Sequence, residues 1–254
     1  MSRLGAPAPD RHRFKWRAPL DRLRDVALLL PARLQRLVRH IRYGIEGWDR
    51  GRWNTAGRYQ RLWSFTLWWV EWPLLLIDCL GISEAYELLM EGLKWNSRPL
   101  DEREEAVARS VFGEHLYYRR VRLDERAFLG PRQWRLCYVS FFHVNSWGPM
   151  DDALLVHELV HVWQYQRLGF RYIPQALLAQ ASIAGYDYGG ADALYKARRA
   201  GGRLSDFNLE QQADIIADYF RIQQGSPPRW GRAGRRELPL YQHFARQLQE
   251  SNYR

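Results

Sequence analysis

The pentapeptide His157-Glu158-Leu159-Val160-His161 constrains this chain more than any other stretch. It spells H-E-x-x-H inside an apolar run, with Ala153-Leu154-Leu155-Val156 before it and Val162-Trp163 after it. Such a run predicts a buried helix. On a helix, residues four apart stack on one face, so His157 and His161 point the same way. Two imidazoles one turn apart can grip one zinc ion. Glu158, about 100° round the helix, can then reach a water beside that ion. Without a metal, two imidazoles and a carboxylate among Leu, Val and Trp would be costly to bury.

A catalytic zinc takes three protein ligands and keeps one position for water. A third His six residues after the second is absent, since position 167 is Arg. The next His after His161 is His243, beyond a Pro/Gly/Arg-rich stretch. A carboxylate is therefore expected. The best candidate is Glu210 in Asn208-Leu209-Glu210-Gln211-Gln212-Ala213-Asp214. Glu210 and Asp214 are four apart and share a helix face with Ala213 and Ala217, small residues that allow close helix approach. One carboxylate can bind the metal while the other, Asp214, accepts an N–H from a ligand His. Asp187 is the main competitor for the third position, with His143 and His115 behind it.

The remaining pattern predicts helices over 101–112, 151–168, 173–183 and 208–224, and strands over 116–123 and 136–144. Asn208 with Gln211 reads as a capping box. Helices and strands in that order predict an α+β body over residues 99–225. Residues 226–254 read as a linker and a short helix. Ahead of the body, residues 1–19 read as a disordered basic tail. Residues 20–98 read as a basic, Trp-rich helical region, its first helix broken before Pro31.

Charge divides the chain. Residues 1–61 hold 15 Arg and Lys against 5 Asp and Glu, whereas residues 62–254 hold 23 of each. The whole formal charge of +10 thus belongs to an N-terminal arm suited to acidic partners. Leu62–Ile77 is the most apolar stretch, 16 residues containing Glu71 and Pro73. A spanning helix needs about 20 clean apolar residues. Two readings follow: a buried helical hairpin, or a monotopic element in the bilayer interface, where Trp63, Trp68, Trp69 and Trp72 would suit that depth. On the second reading residues 20–77 meet an anionic membrane surface. Nucleic acid, permitted by interleaved Arg and aromatics, ranks behind it. Val26–Leu30 is too short and too crowded by Arg to be a Sec signal peptide, so the expected location is the cytoplasm, peripheral at the membrane if the arm binds lipid. Cys79 and Cys137 read as buried free thiols.

His-Glu-Leu-Val-His followed by a helix carrying Glu-Gln-Gln-Ala-Asp resembles the gluzincin group of zinc metallopeptidases. With Ala108-Arg-Ser-Val-Phe-Gly113, His157–Gln164 and Phe207–Asp214, the chain also resembles small bacterial proteins of this type that accompany contractile injection and secretion systems. The resemblance covers residues 99–224. It implies a minimal zincin-like domain (a small sheet, a metal-binding helix and a glutamate helix) preceded by an all-α extension. It implies one Zn2+ held by His157, His161 and Glu210, with Asp214 behind them. It also implies peptide hydrolysis, with Glu158 as general base and Tyr186, Tyr188 or His143 aiding the oxyanion or the substrate. Substrate backbone would pair with the strand at Leu136–Val144. The alternative is a non-catalytic protein of a secretion assembly, in which zinc serves folding or binding.

Overall fold

The structure is a computed structural model that describes residues 11–49, 58–94, 96–128, 131–134, 137–182 and 185–250. Two compact units divide it, Met1–Leu93 and Lys94–Arg254.

Three helices make up the described part of the first unit: α1 (Arg11–Asp49), α2 (Arg58–Cys79) and α3 (Ile82–Leu93). Residues 11–19 are helical rather than a disordered tail, and residues 1–10 lie outside the described ones. Nothing between Pro9 and Pro19 breaks a helix. Pro31 does not break α1 either: it lies exposed, so the carbonyl that loses its partner faces solvent. Leu62–Ile77 belongs to one continuous helix instead of a hairpin, with Pro73 exposed inside it. The chain bends later, by 65° at Leu80–Gly81. Gly81 has φ +73°, and a Cβ there would lie 2.9 Å from Val26 Cγ2, so both conformation and space call for glycine.

The second unit is α+β. Asp101 caps α4 (Glu102–Phe112) through a capping box with Glu104, and α4 buries Ala108, Val111 and Phe112. The expected strand over 116–123 shrinks to β1 (Arg122–Asp124). Its upstream backbone groups close turns instead, Arg120 N to Tyr117 O and Val121 N to Tyr118 O. After the short α5 (Pro131–Trp134), the expected strand over 136–144 folds back on itself. It becomes β2 (Tyr138–Ser140) and β3 (His143–Asn145), reversing at Phe141, which takes φ 59°. The sheet order is β1-β3-β2, with β1 parallel and β2 antiparallel to β3. The strand that leads into the H-E-x-x-H helix is thus the central one. Arg98 bridges Leu123 on the outer side of β1, which leaves β2 as the open edge.

α6 (Asp152–Leu168) starts on the Asp151 cap and stops at Gly169. Every residue from Leu155 to Tyr165 is buried, so this helix is covered all round. α7 (Tyr172–Ala181) follows, then α8 (Gly190–Arg199), a helix the sequence pattern did not announce. α9 (Leu209–Gln223) opens on the Asn208–Gln211 capping box and packs along α6. α10 (Leu238–Ala245) packs on α9. Residues 226–250 are therefore part of this unit rather than an appended tail. Leu240, Tyr241, Phe244 and Leu248 recur at helical spacing and are buried in the same core as Trp163. Trp163 Nε1 donates to the Leu248 carbonyl at 3.1 Å. Cys79 and Cys137 are free but half-buried, each at the end of its segment rather than within a packed face.

Candidate metal centre

α6 and α9 bring His157, His161 and Glu210 together, all buried. The two Nε2 atoms are 3.2 Å apart. Glu210 Oε2 lies 3.1 Å from His161 Nε2 and 3.5 Å from His157 Nε2. Tetrahedral ligands at zinc–nitrogen distances stand about 3.3 Å from one another. The observed triangle has that size.

Hydrogen bonds on the far side of each ring determine what points into the triangle. His157 Nδ1 donates to Asp214 Oδ1 at 2.8 Å. His161 Nδ1 faces Gln164 Oε1 at 2.9 Å. Gln164 Nε2 donates to the Leu209 carbonyl at 2.9 Å, so the amide orientation is set and its oxygen must accept from His161. Both Nδ1 atoms are donors, and both Nε2 lone pairs turn inward to meet a carboxylate oxygen. Three acceptors at this distance repel unless a cation lies between them. The group can hold a metal ion.

Glu210 is steadied from α7 by Gln180, whose Nε2 donates to Oε1 at 2.9 Å. Asp214 is held in turn by Trp230 Nε1 at 2.5 Å, and Arg229 lies 3.7 Å away. Despite their burial, Glu210 and Asp214 are held below the usual carboxylate range, first by their bonds to the His157 and His161 imidazoles and then by Gln180, Trp230 and Arg229. Glu158 behaves in the opposite way. Burial first, then the negative Glu210 and Asp214, raise its carboxyl above the ordinary value against the pull of the two imidazoles. Its Oε2 is buried and has no hydrogen-bond partner among the described residues. Such an oxygen is costly unless a water or substrate group meets it.

The other expected site residues separate. The Tyr186 ring stacks over His157 at 6.1 Å, and burial beside Glu210 and Glu158 pushes its hydroxyl up to about 12. Tyr188 points elsewhere: its hydroxyl donates to Asp218 at 2.7 Å and lies 3.0 Å from the Tyr241 hydroxyl. Asp187 is exposed and accepts from Gly189 N in a local turn. His143 lies in β3 opposite Arg122 and Ser140, outside the cluster. His115 is likewise outside it. Gln164, Gln180, Tyr172 and Trp230 were missed. Gln164 carried a signal, three residues beyond His161 on the same helix. Tyr172, with its ring 6.0 Å from His161, carried none.

The centre needs one positive charge, and a proton or a metal can supply it. Burial lowers the His157 imidazole, but its bonds with Asp214 and Glu210 outweigh that and raise it from 6.5 to about 10 in the metal-free protein. A raised imidazole contributes stability that is full below the unfolded value of about 6.5 and is lost as pH rises through about 10. The depressed carboxylates contribute stability that is lost as pH falls below their unfolded values. The chelated protein is therefore expected to lose melting temperature between pH 7 and pH 10, while the metal-loaded protein does not. Calorimetry with and without chelator checks this; identical profiles would contradict it.

No protein-family profile matches the chain, and no solved structure does. Among known proteins, it is similar to the type VI secretion system spike protein VgrG2b of Pseudomonas aeruginosa, at 30% identity over 136 residues. The match takes in 48% of this chain and 13% of that protein, so about half of this chain is similar to a small part of it.

Proposed function

We propose that this chain is a zinc-dependent metallopeptidase whose second unit is a minimal zincin-like domain of the gluzincin type. The observation that carries the reading is the convergence of His157 Nε2, His161 Nε2 and Glu210 Oε2, beside a buried Glu158 oxygen with no hydrogen-bond partner among the described residues. No fourth His, Cys, Asp or Glu joins the group among the described residues, which leaves a position for water or substrate.

A zinc ion held there would supply a Lewis acid and make a nearby water acidic near neutral pH. Glu158, its carboxylate destabilised by burial, takes the proton as the water oxygen bonds to the peptide carbon. It then gives that proton to the leaving nitrogen as the C–N bond breaks, and the water's second proton follows to the amine, so a carboxylate and an ammonium group result. Tyr186 keeps its proton at neutral pH and can donate it in a hydrogen bond to the carbonyl oxygen. Tyr188 has no such role, being committed to Asp218. The β2 edge offers main-chain pairing for an extended substrate, in place of the central strand.

The similarity to a secretion spike protein supports a second reading, a metal-stabilised part of such an assembly with no turnover. One experiment separates the two. Purified protein is assayed for metal and for cleavage of an unstructured protein such as casein, before and after treatment with a zinc chelator. The peptidase reading expects about one zinc per chain, with cleavage lost on chelation and restored by zinc. A full complement of metal with no cleavage of any unstructured substrate would favour the structural reading.

A further inference from the structure

The first unit is built inside out. Four of its carboxylates face inward: Glu71, Asp78, Glu84 and Glu87 are each no more than 3% exposed. Arg33 meets Glu84 at 2.6 Å and Asp78 at 3.4 Å, and Arg36 meets Asp78 at 2.7 Å. His40 lies 3.4 Å from Glu71, and its Nε2 is 3.0 Å from the Trp68 carbonyl. Large apolar side chains face outward. Val38, Trp69, Leu76, Leu80, Leu89 and Leu93 are 49–74% exposed.

Helical spacing shows that this is organised by face. On α3, Ile82, Leu89 and Leu93 share the outer face, while Glu84 and Glu87 share the inner one. On α1, Leu30, Leu34, Val38 and Ile45 line one exposed stripe. In water this arrangement is poor on both counts. A buried ion pair stabilises little, and each large apolar side chain left out forgoes the gain of its burial. In hydrocarbon both signs reverse. Ionisable groups there face a bundle interior and pair with one another, and apolar groups face lipid.

Length and charge narrow the occupant. Among the described residues no single helix is long and apolar enough to cross a membrane. Phe65–Cys79 and Ile82–Met90 qualify together, but bent by 65°. Phe65–Cys79 runs about 22 Å at 1.5 Å per residue, short of the roughly 30 Å hydrocarbon core. Arg24, Arg39 and Arg42 lie exposed on the flank of α1 beside its apolar stripe, where anionic headgroups would meet them.

We propose that α1–α3 embed their apolar faces in one leaflet of an anionic phospholipid bilayer, with the Arg33–Glu84–Asp78 ion pairs kept inside the helix bundle. This proposal is independent of the metal centre.

The test is flotation of this 254-residue chain with vesicles of phosphatidylglycerol and phosphatidylcholine, at low salt and at about 1 M NaCl, where the Debye length falls to about 3 Å. The protein is expected to float with the vesicles and to remain with them at high salt. The double variant Leu76→Glu, Leu89→Glu is expected to float at least about tenfold less, with zinc content unchanged. Protein that stays unbound at both salts overturns the proposal. So does complete release at high salt, which would mean surface adsorption alone. A stable vesicle-free oligomer that the double variant dissociates also overturns it, because the face is then covered by a second copy. Should the variant fail to fold, the two salt conditions on the unaltered chain decide.

Discussion

Replacing Glu158 with Gln is expected to leave the metal content unchanged and to slow peptide hydrolysis by about 10³-fold. Glu158 lies beside the first ligand in sequence, but its Oε2 joins no hydrogen bond among the described residues. Gln keeps the shape and removes the proton acceptor. Burial already disfavours the carboxylate's charge, so its loss should not weaken the fold. Steady-state cleavage rates with zinc content measured on the same samples decide the matter. An undiminished rate would sink the mechanism. Loss of the metal would show Glu158 to be part of the ligand shell instead.

Glu210→Gln should cost the most in metal affinity. It removes the one negative ligand and turns an amide toward two imidazole lone pairs. Asp214→Asn should cost about 10–100-fold, as expected for a group that orients a ligand, and Glu210→Gln should exceed that range. Asp187→Asn should cost nothing, because the Asp187 side chain is exposed and bonds within its own turn, while its backbone bond to Gln211 is kept. Competition against a chelating dye orders the three. Metal release by the Asp187 variant, with Glu210→Gln unaffected, would reassign the third ligand.

The parts of the centre that were legible in the sequence lie on single helices. His157 and His161 on α6, and Glu210 and Asp214 on α9, follow from a four-residue step that holds wherever those helices pack. The Asn208–Gln211 cap was equally local. Contacts between distant segments were not legible. Gln180 reaches Glu210 across 30 residues, and Trp230 reaches Asp214 from a stretch whose Pro, Gly and Arg read as a linker. Tyr186 and Tyr188 looked alike. The turn between Gly185 and Gly189, both at positive φ, sends one ring to His157 and the other to Asp218. An apolar run rich in Tyr, Val and Phe predicted one strand at 136–144. It could not show the reversal at Phe141, which needs a left-handed residue where no glycine stands. In the first unit, periodicity identified two-faced helices but not which face turns inward. That depends on the neighbouring helices, Arg33 on α1 meeting Glu84 on α3.

Trp230 binds Asp214, and the Leu248 carbonyl binds Trp163 on the helix that carries both histidines. The consequence concerns biosynthesis. His157, His161 and Glu210 leave the ribosome before the segment that braces them. A nascent chain therefore has its ligands but not their alignment until residues through Leu248 have emerged. On the proposed reading, metal binding and any cleavage that depends on it are acquired only after residues through Leu248 have been made.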